Sequence, residues 1–296
     1  MRILMLNWRD IKNPAHGGAE VVTHEHLRRW VKKGHNCTLF ASSFPNCLNE
    51  EMIEGYKVVR AGGRLSVYYN AYKYYKKNKD FDLVIDQINT IPFFTPLYVK
   101  CRKIVFFHQL CREIWFYETS FPLSLIGYIA EYFYLKLYKN IPAMVVSRST
   151  KKDLEKRGFK NISIIPEGIN FKSLEKIKEK ERNSLIYVGR LKKSKRVHHI
   201  IKALSFVNEK ISDVKLYIVG DGDLSYKNYL KKITKKYNLD ENIKFTGYLP
   251  FEKRNELMSK AEAIVVTSVK EGWGLIVTEA NAMGTPAIVY DVDGLR

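Results

Sequence analysis

The sequence predicts an α/β protein built from two doubly wound units in tandem. Three observations predict it. The length of 296 residues suits two domains of about 150 residues each. Continuous apolar runs alternate with stretches of helical spacing, as parallel strands covered on both faces by helices require. A charged stretch poor in bulky residues, Asn170 to Ser184, interrupts the pattern, which then restarts. Domains are therefore expected over 1–169 and 184–296, with a linker or exposed helix over 170–183.

The elements follow in order. RILML, from Arg2 to Leu6, is a short apolar strand. GGAEVVTHEHLRRWVKKGH has helical spacing, with Val21, Val22, Leu27, Trp30 and Val31 as its apolar stripe. Arg28, Arg29, Lys32 and Lys33 complement its carboxyl end, and Gly34 stops it. NCTLFAS, FDLVIDQ, KIVFFHQ and AMVVSRS read as further strands. After the charged stretch, SLIYVGRL predicts a strand, KRVHHIIKALSFVNEK a helix and VKLYIVGDG a strand. A lysine-rich helix then runs to Tyr237, followed by strand IKFTGY, helix PFEKRNELMSKA and strand AEAIVVTS. A helix from about Gly274 to Met283 and the strand PAIVY come last. Sheets of this kind bind ligands beyond the carboxyl ends of their strands, so a cleft between the two units is the expected active site.

Composition narrows the function classes. Apolar residues make up 46% and charged residues 27%, which excludes global disorder. Lys and Arg total 50 against 31 acids, a net charge of +19. That balance favours an anionic partner, either a phosphate-bearing small molecule, a membrane surface or nucleic acid; the alternative is a surface of solvated lysines. Cys37, Cys47, Cys101 and Cys111 form no C-x-x-C pair and are expected to stay reduced in a cytoplasmic setting. MRILMLNW lacks the pattern of a signal peptide, and no run reaches the ~18 apolar residues of a spanning helix. The segment Ile114 to Lys139 supports two readings, a buried helical pair or a segment lying on a membrane interface. Tyr68 to Lys79 is likewise either a surface helix packing tyrosines on the sheet or a contact for a lipid-linked acceptor.

Several motifs carry chemistry. In YVGRLKKSKR a strand delivers Gly189 and Arg190 to the sheet edge, and Lys195 opens the next helix. A planar guanidinium, a point charge and a helix amino terminus together suit a diphosphate; a solvated basic turn is the competing reading. HGGAE places Gly17 and Gly18 between strand and helix, where a backbone can approach an anion, though the run is no G-x-G-x-x-G fingerprint. GDGD, from Gly220 to Asp223, reads as a turn only. His108 ends KIVFFH and is either a crevice residue or a hydrogen-bonded structural histidine. The histidines show no metal-site spacing, and Asp291 and Asp293 make a short D-x-D match of little weight. In KEGWGLIVTEANAMGTPAIV, bare amides of a helix amino terminus follow Glu271, Gly272 and Gly274, and Glu279 lies more than a turn further on. Carboxylates for hydroxyls, beside cations for phosphates, describe a site for a sugar attached to a phosphate.

In that order the motifs resemble the retaining glycosyltransferases of family 4, whose two Rossmann-like domains form the GT-B arrangement. GGAE is similar to that family's first glycine-rich loop, FFHQ to its crevice histidine, and VVSRSTKKDL and IIPEGIN to its approach to the linker. YVGRL with Lys195 resembles its diphosphate-binding strand and loop, and EGWGLIVTEANAMGTPAIV its E-x7-E element. The resemblance implies that Arg190 and Lys195 stabilise the leaving diphosphate and that Glu279 binds ribose hydroxyls. It implies that Glu271 and the amides of Gly272, Trp273, Gly274 and Leu275 hold the donor sugar and its phosphates, with Gly189 beside them. His108 would contact the donor sugar, and Gly17 and Gly18 would approach the diphosphate from the other domain. No metal and no cofactor are implied; the donor is a nucleotide-diphosphate sugar and the acceptor a glycan or lipid-linked molecule. Family members continue past DVDGLR, so the second domain is expected to be incomplete, with another chain able to supply the closing segment.

The leading hypothesis is therefore a metal-independent, retaining sugar transferase, cytoplasmic and peripheral on an anionic membrane. A truncated relative that holds a nucleotide sugar or a partner subunit without turnover is the alternative. A nucleic-acid-binding protein is the third class, but no zinc-finger spacing, RNA-recognition signature or heptad-bearing basic helix supports it.

Overall fold

The apolar run after Met1 forms β1 (Arg2–Leu6), near the middle of the first sheet of a computed structural model that describes residues 1–171 and 179–296. A loop leads into α1 (Gly18–Lys32), which ends as its basic last turn and Gly34 dictate: His35 N–H bonds the Trp30 carbonyl and Gly34 N–H that of Val31. Then come β2 (Asn36–Ala41), the antiparallel pair β3 (Glu50–Ile53) and β4 (Tyr56–Arg60), α2 (Ser66–Lys77) and β5 (Leu83–Ile88). β6 (Arg102–Phe107), α3 (Ile114–Glu118), α4 (Leu123–Tyr138), β7 (Ala143–Val145), α5 (Arg148–Glu155) and β8 (Ile162–Ile164) follow.

Among the described residues, the first sheet has the order β3-β4-β2-β1-β5-β6-β7-β8, parallel except for β3. The winding direction reverses between β1 and β5, the switch point at which such sheets bind ligands. On α2, Tyr75 is buried while Tyr68 and Tyr74 pack on the core, as the surface-helix reading expects; Tyr69 and Tyr72 stay exposed beneath Lys73 and Lys76.

A buried ion-pair network shapes the loop after β1. Arg60 at the end of β4 donates to both oxygens of Asp10, at 2.7 and 2.8 Å, and to Glu51 of β3 at 2.5 Å. The Arg60 and Asp10 side chains are both 0% exposed, and Lys12 closes the network on Glu51. The loop that carries Gly17 is thus tied to two strands before it reaches α1.

The second unit repeats the plan with β9 (Ser184–Val188), α6 (Val197–Asn208), β10 (Lys215–Val219), α7 (Leu224–Lys236) and β11 (Ile243–Gly247). It continues through α8 (Phe251–Lys260), β12 (Ala263–Val266), α9 (Leu275–Ala282) and β13 (Ala287–Val289). The sheet is fully parallel, in the order β11-β10-β9-β12-β13, and its switch point lies between β9 and β12. Two apolar layers enclose it. Tyr187, Ile201, Leu204, Leu216, Ile218 and Leu230 belong to one, and Ile186, Val219, Met258, Ile264 and Ala280 to the other. β13 is an edge strand with Ile288 56% exposed.

By their contacts the residues form two units, Met1–Arg112 with Ile126–Glu167, and Glu113–Leu125 with Gly168–Arg296. The short helix α3 thus belongs to the second unit. The charged stretch read as a linker or exposed helix lies in part, at 172–178, outside the described residues.

Candidate functional site

The loops that follow β9 and β12 leave the sheet side by side at its switch point, and they carry most of the predicted donor residues. After β9, Gly189 N–H bonds the Val219 carbonyl and Leu191 N–H that of Asp221. The GDGD turn is therefore more than a reversal. A Cβ on Gly220 would stand 2.0 Å from the Gly189 carbonyl oxygen, and one on Gly222 2.2 Å from that of Leu191. Only glycine lets the two loops meet backbone to backbone, and this seats Arg190.

The basic loop is not a solvated turn. Lys192 pairs with Glu118 of α3 at 2.6 Å, Ser194 donates to the same carboxylate, and Arg196 donates to the Tyr117 hydroxyl at 2.6 Å. Burial would raise the Glu118 carboxyl, but its bonds to Lys192 and Ser194 outweigh that and hold it below the usual range. Lys195 reaches Glu271 at 2.5 Å, and Ser268 donates to the same Glu271 oxygen at 2.6 Å. Arg190 has no ion-pair or side-chain hydrogen-bond partner among the described residues and is exposed. Two of the predicted residues, Lys195 and Glu271, are thus in direct contact, and a third, Arg190, is available for an anion.

The Glu271 loop is held from its far side. Glu271 N–H bonds the Asp293 carbonyl at 3.0 Å. Gly294, at φ +81°, lies so close that a Cβ would stand 2.0 Å from the Glu271 carbonyl oxygen. Gly272, Trp273 and Gly274 then lead into α9, capped by Gly274, whose first residue is Leu275. In the first turn of α9, Val277 N–H bonds the Gly274 carbonyl at 2.8 Å, which leaves the amides of Leu275 and Ile276 without a backbone acceptor among the described residues, and the buried Trp273 indole N–H has no partner there either. Further along α9, Glu279 pairs with Arg254 of α8 at 2.9 Å. Burial pushes the Glu279 carboxyl up, and the Arg254 charge opposes that rise.

In the first unit, Gly17 caps α1 beside the β1–β5 switch point, but its N–H already bonds the buried carboxylate of Glu20 at 2.6 Å. Arg9 stands 3.5 Å from the other Glu20 oxygen. Gly18 is the first residue of α1. His108 follows β6, and its Nδ1 lies 2.9 Å from Glu167, which sits just past β8. The neighbouring His26 of α1 is pushed down to about 4 by burial first, then by its proximity to His108 and Arg29, and stays neutral at neutral pH.

The residues that the sequence reading missed are partners: Glu20, Ser268, Arg254, Glu118 and Glu167. Only Glu20 carried a local signal, since a glutamate three residues past a helix cap often bonds the cap amide. The D-x-D match falls apart, because Asp291 pairs with Arg296 at 2.6 Å while Asp293 serves through its backbone carbonyl. Among the described residues, no group of three or more His, Cys, Asp or Glu side chains is placed to hold a metal ion.

Comparison with known proteins gives the family and the fold. The model of the family "Glycosyltransferase Family 4" matches residues 16–173, and that of "Glycosyl transferases group 1" matches residues 170–296. An uncharacterized glycosyltransferase of Methanocaldococcus jannaschii is 28% identical over 179 residues, covering 55% of this chain and 45% of the relative. The O-antigen chain mannosyltransferase RfbU of Salmonella typhimurium is 30% identical over 178 residues, covering 58% and 49%. The matches thus span about half the length of these curated relatives or less. Among solved structures, the sucrose-phosphate synthase of Thermosynechococcus elongatus superposes with a TM-score of 0.77 at 18% identity, covering 100% of this chain and 82% of that one. WaaG, a glycosyltransferase involved in lipopolysaccharide biosynthesis, gives 0.76 at 19%, covering 99% and 82%. Anabaena HepE, solved in complex with UDP and glucose, gives 0.74 at 17%, covering 100% and 82%. The two parallel sheets, five strands in the smaller, have the GT-B fold of these structures. With one family model covering more than half of its residues, the chain belongs to glycosyltransferase family 4.

Proposed function

We propose that the chain transfers a hexose from a nucleotide-diphosphate sugar to a glycan or lipid-linked acceptor, with retention at the anomeric carbon and without a metal. One observation carries the reading: Lys195 and Glu271 meet at the switch point of the second sheet, beside the amino terminus of α9 and the unpartnered Arg190. Breaking a sugar–phosphate bond leaves negative charge on the diphosphate. The available Arg190, Lys195 held by Glu271, and the free amides at the start of α9 supply donors for that charge. Glu271 holds Lys195 in place and can accept from donor hydroxyls. In this reading Glu279, held by Arg254, binds the ribose hydroxyls.

Incubation with UDP-, GDP- and ADP-sugars and candidate acceptors in EDTA tests the reading. Product with the donor's anomeric configuration is expected; strict dependence on manganese or magnesium contradicts the assignment. Binding of a nucleotide sugar without transfer would leave the alternative, a relative that binds but does not turn over. Glu279→Gln should weaken nucleoside diphosphates and nucleotide sugars alike, by about tenfold for one charged hydrogen bond. Unchanged calorimetric affinity for both would remove Glu279 from the site.

A peripheral position on the cytoplasmic face of an anionic membrane fits the surface of α4. Ile126, Ile129, Tyr132, Phe133 and Leu137 on this helix are exposed. Its one acid, Glu131, turns inward to accept from the amides of Cys111 and Arg112. Lys136 lies 4.3 Å over the Tyr132 ring. The outward face is therefore apolar and aromatic with a cationic edge, as an interfacial helix needs. No described helix is long and apolar enough to cross a membrane. At low salt the chain should sediment with anionic vesicles and leave them as salt rises, because charges are screened over ~10 Å at 0.1 M. Ile129→Ser with Phe133→Ser should lower recovery about tenfold. Equal recovery on neutral and anionic vesicles would contradict the proposal.

A further inference from the structure

His108 has one satisfied ring nitrogen and one that is not. Nδ1 lies 2.9 Å from Glu167 Oε1, with the two side chains 9% and 7% exposed. The ring packs on Phe106 at 4.5 Å between centroids, and the backbone carbonyl accepts from the Thr150 hydroxyl. Nε2 is buried and has no hydrogen-bond partner among the described residues. Buried polar atoms are nearly always paired, because an orphan loses its hydration without return. One ring nitrogen of His108 is anchored by Glu167, and the other is left for a ligand to satisfy.

We infer that Glu167 is a positioning residue that fixes both the orientation and the tautomer of His108. An ionised carboxylate only accepts, so Nδ1 must carry the hydrogen. With the single hydrogen on Nδ1, Nε2 is an acceptor, and the complementary group is a hydroxyl of a bound ligand. The identity of that hydroxyl rests on the proposed glycosyl transfer; the tautomer does not. Glu167 stands three residues beyond β8 and His108 one beyond β6, with β7 between them. The parallel order of these strands brings both loops to one end of the sheet.

The test separates the two layers. In protein labelled with 15N-histidine, proton–nitrogen correlation spectra should show His108 with its hydrogen on Nδ1. Glu167→Ala should abolish that signature and lower kcat with nucleotide sugar by roughly 10- to 100-fold, while KM for the donor changes much less. Glu167→Gln should restore most of both, because its amide oxygen can accept from Nδ1–H, and it guards against a folding defect in the alanine variant. A hydrogen on Nε2 in the parent chain, or an unchanged spectrum in Glu167→Ala, would overturn the inference. So would a lost signature with unchanged kcat, which would leave Glu167 a structural partner only. A chain with the expected tautomer but no transfer from any nucleotide sugar would instead count against the proposed activity.

Discussion

Lys195→Ala should lower turnover by about 10²–10³-fold, the cost of one preorganised charge at a developing anion, about 3–4 kcal/mol in the barrier. The side chain is 25% exposed and its removal leaves Glu271 with Ser268 as a hydrogen-bond donor, so the fold should persist. The pair with Glu271 is partly solvated and contributes little to stability, so melting should change by no more than a few degrees. Arg190→Ala should have an effect of the same order on kcat, since no ion pair among the described residues holds Arg190 and its charge is available to the diphosphate. Steady-state transfer rates and thermal melts on the parent and both variants settle the matter. A loss of less than threefold for Lys195→Ala, with the fold intact, would take this lysine out of the chemistry.

Arg60→Ala should cost about 3–5 kcal/mol of stability, because it leaves Asp10 charged and buried without its partner. Both oxygens of Asp10 accept from Arg60, and Glu51 loses its bond at the same time. The loop that runs from Asp10 to Gly17 would lose its anchor to β3 and β4. Denaturant unfolding should show a lower midpoint, and the variant should fail at a lower temperature than any single substitution in the Lys195 loop. A change below 1 kcal/mol would mean that water reaches Asp10 readily and that the network does not organise the loop. Replacing Arg60 and Asp10 together by apolar residues of similar volume should recover much of the loss, since no uncompensated charge then remains.

The strands were legible because parallel strands buried on both faces are continuous apolar runs. RILML, NCTLFA and LVIDQI became β1, β2 and β5. β3 escaped because EEMI is an edge strand with two acids and an exposed Met52, the composition that keeps edges from pairing with other chains. The segment from Ile114 to Lys139 stayed ambiguous for a physical reason. α4 is apolar on nearly every face, so its pattern does not distinguish the side bearing Tyr134, Leu135 and Tyr138, which is buried, from the side bearing Ile129 and Phe133, which is not.

The candidate site divides along the same line. Arg190, Lys195, Glu271 and Glu279 could be proposed from the sequence because glycines, a strand end and a helix start mark their positions. Their partners were not, because pairing across elements leaves no periodicity. Arg254 sits in the polar spacing of α8, and nothing in PFEKRNELMSKA points to Glu279. Glu167 lies in a Pro-Glu-Gly connection that reads as a turn, yet it meets a histidine 59 residues away. Even GDGD became informative only when its glycines were seen against the backbone of Gly189 and Leu191.

The central claim is that the β9 and β12 loops form a nucleotide-diphosphate site. It is tested most directly by the thermal stability of the chain in EDTA during titration with UDP, GDP and ADP and their sugars. One nucleotide series should raise stability saturably, by about 2.7 kcal/mol at a hundredfold excess over Kd, and Lys195→Ala should shift the titration to at least tenfold higher ligand. No stabilisation by any of the three series at millimolar concentration, or a response unchanged in Lys195→Ala, would contradict the account.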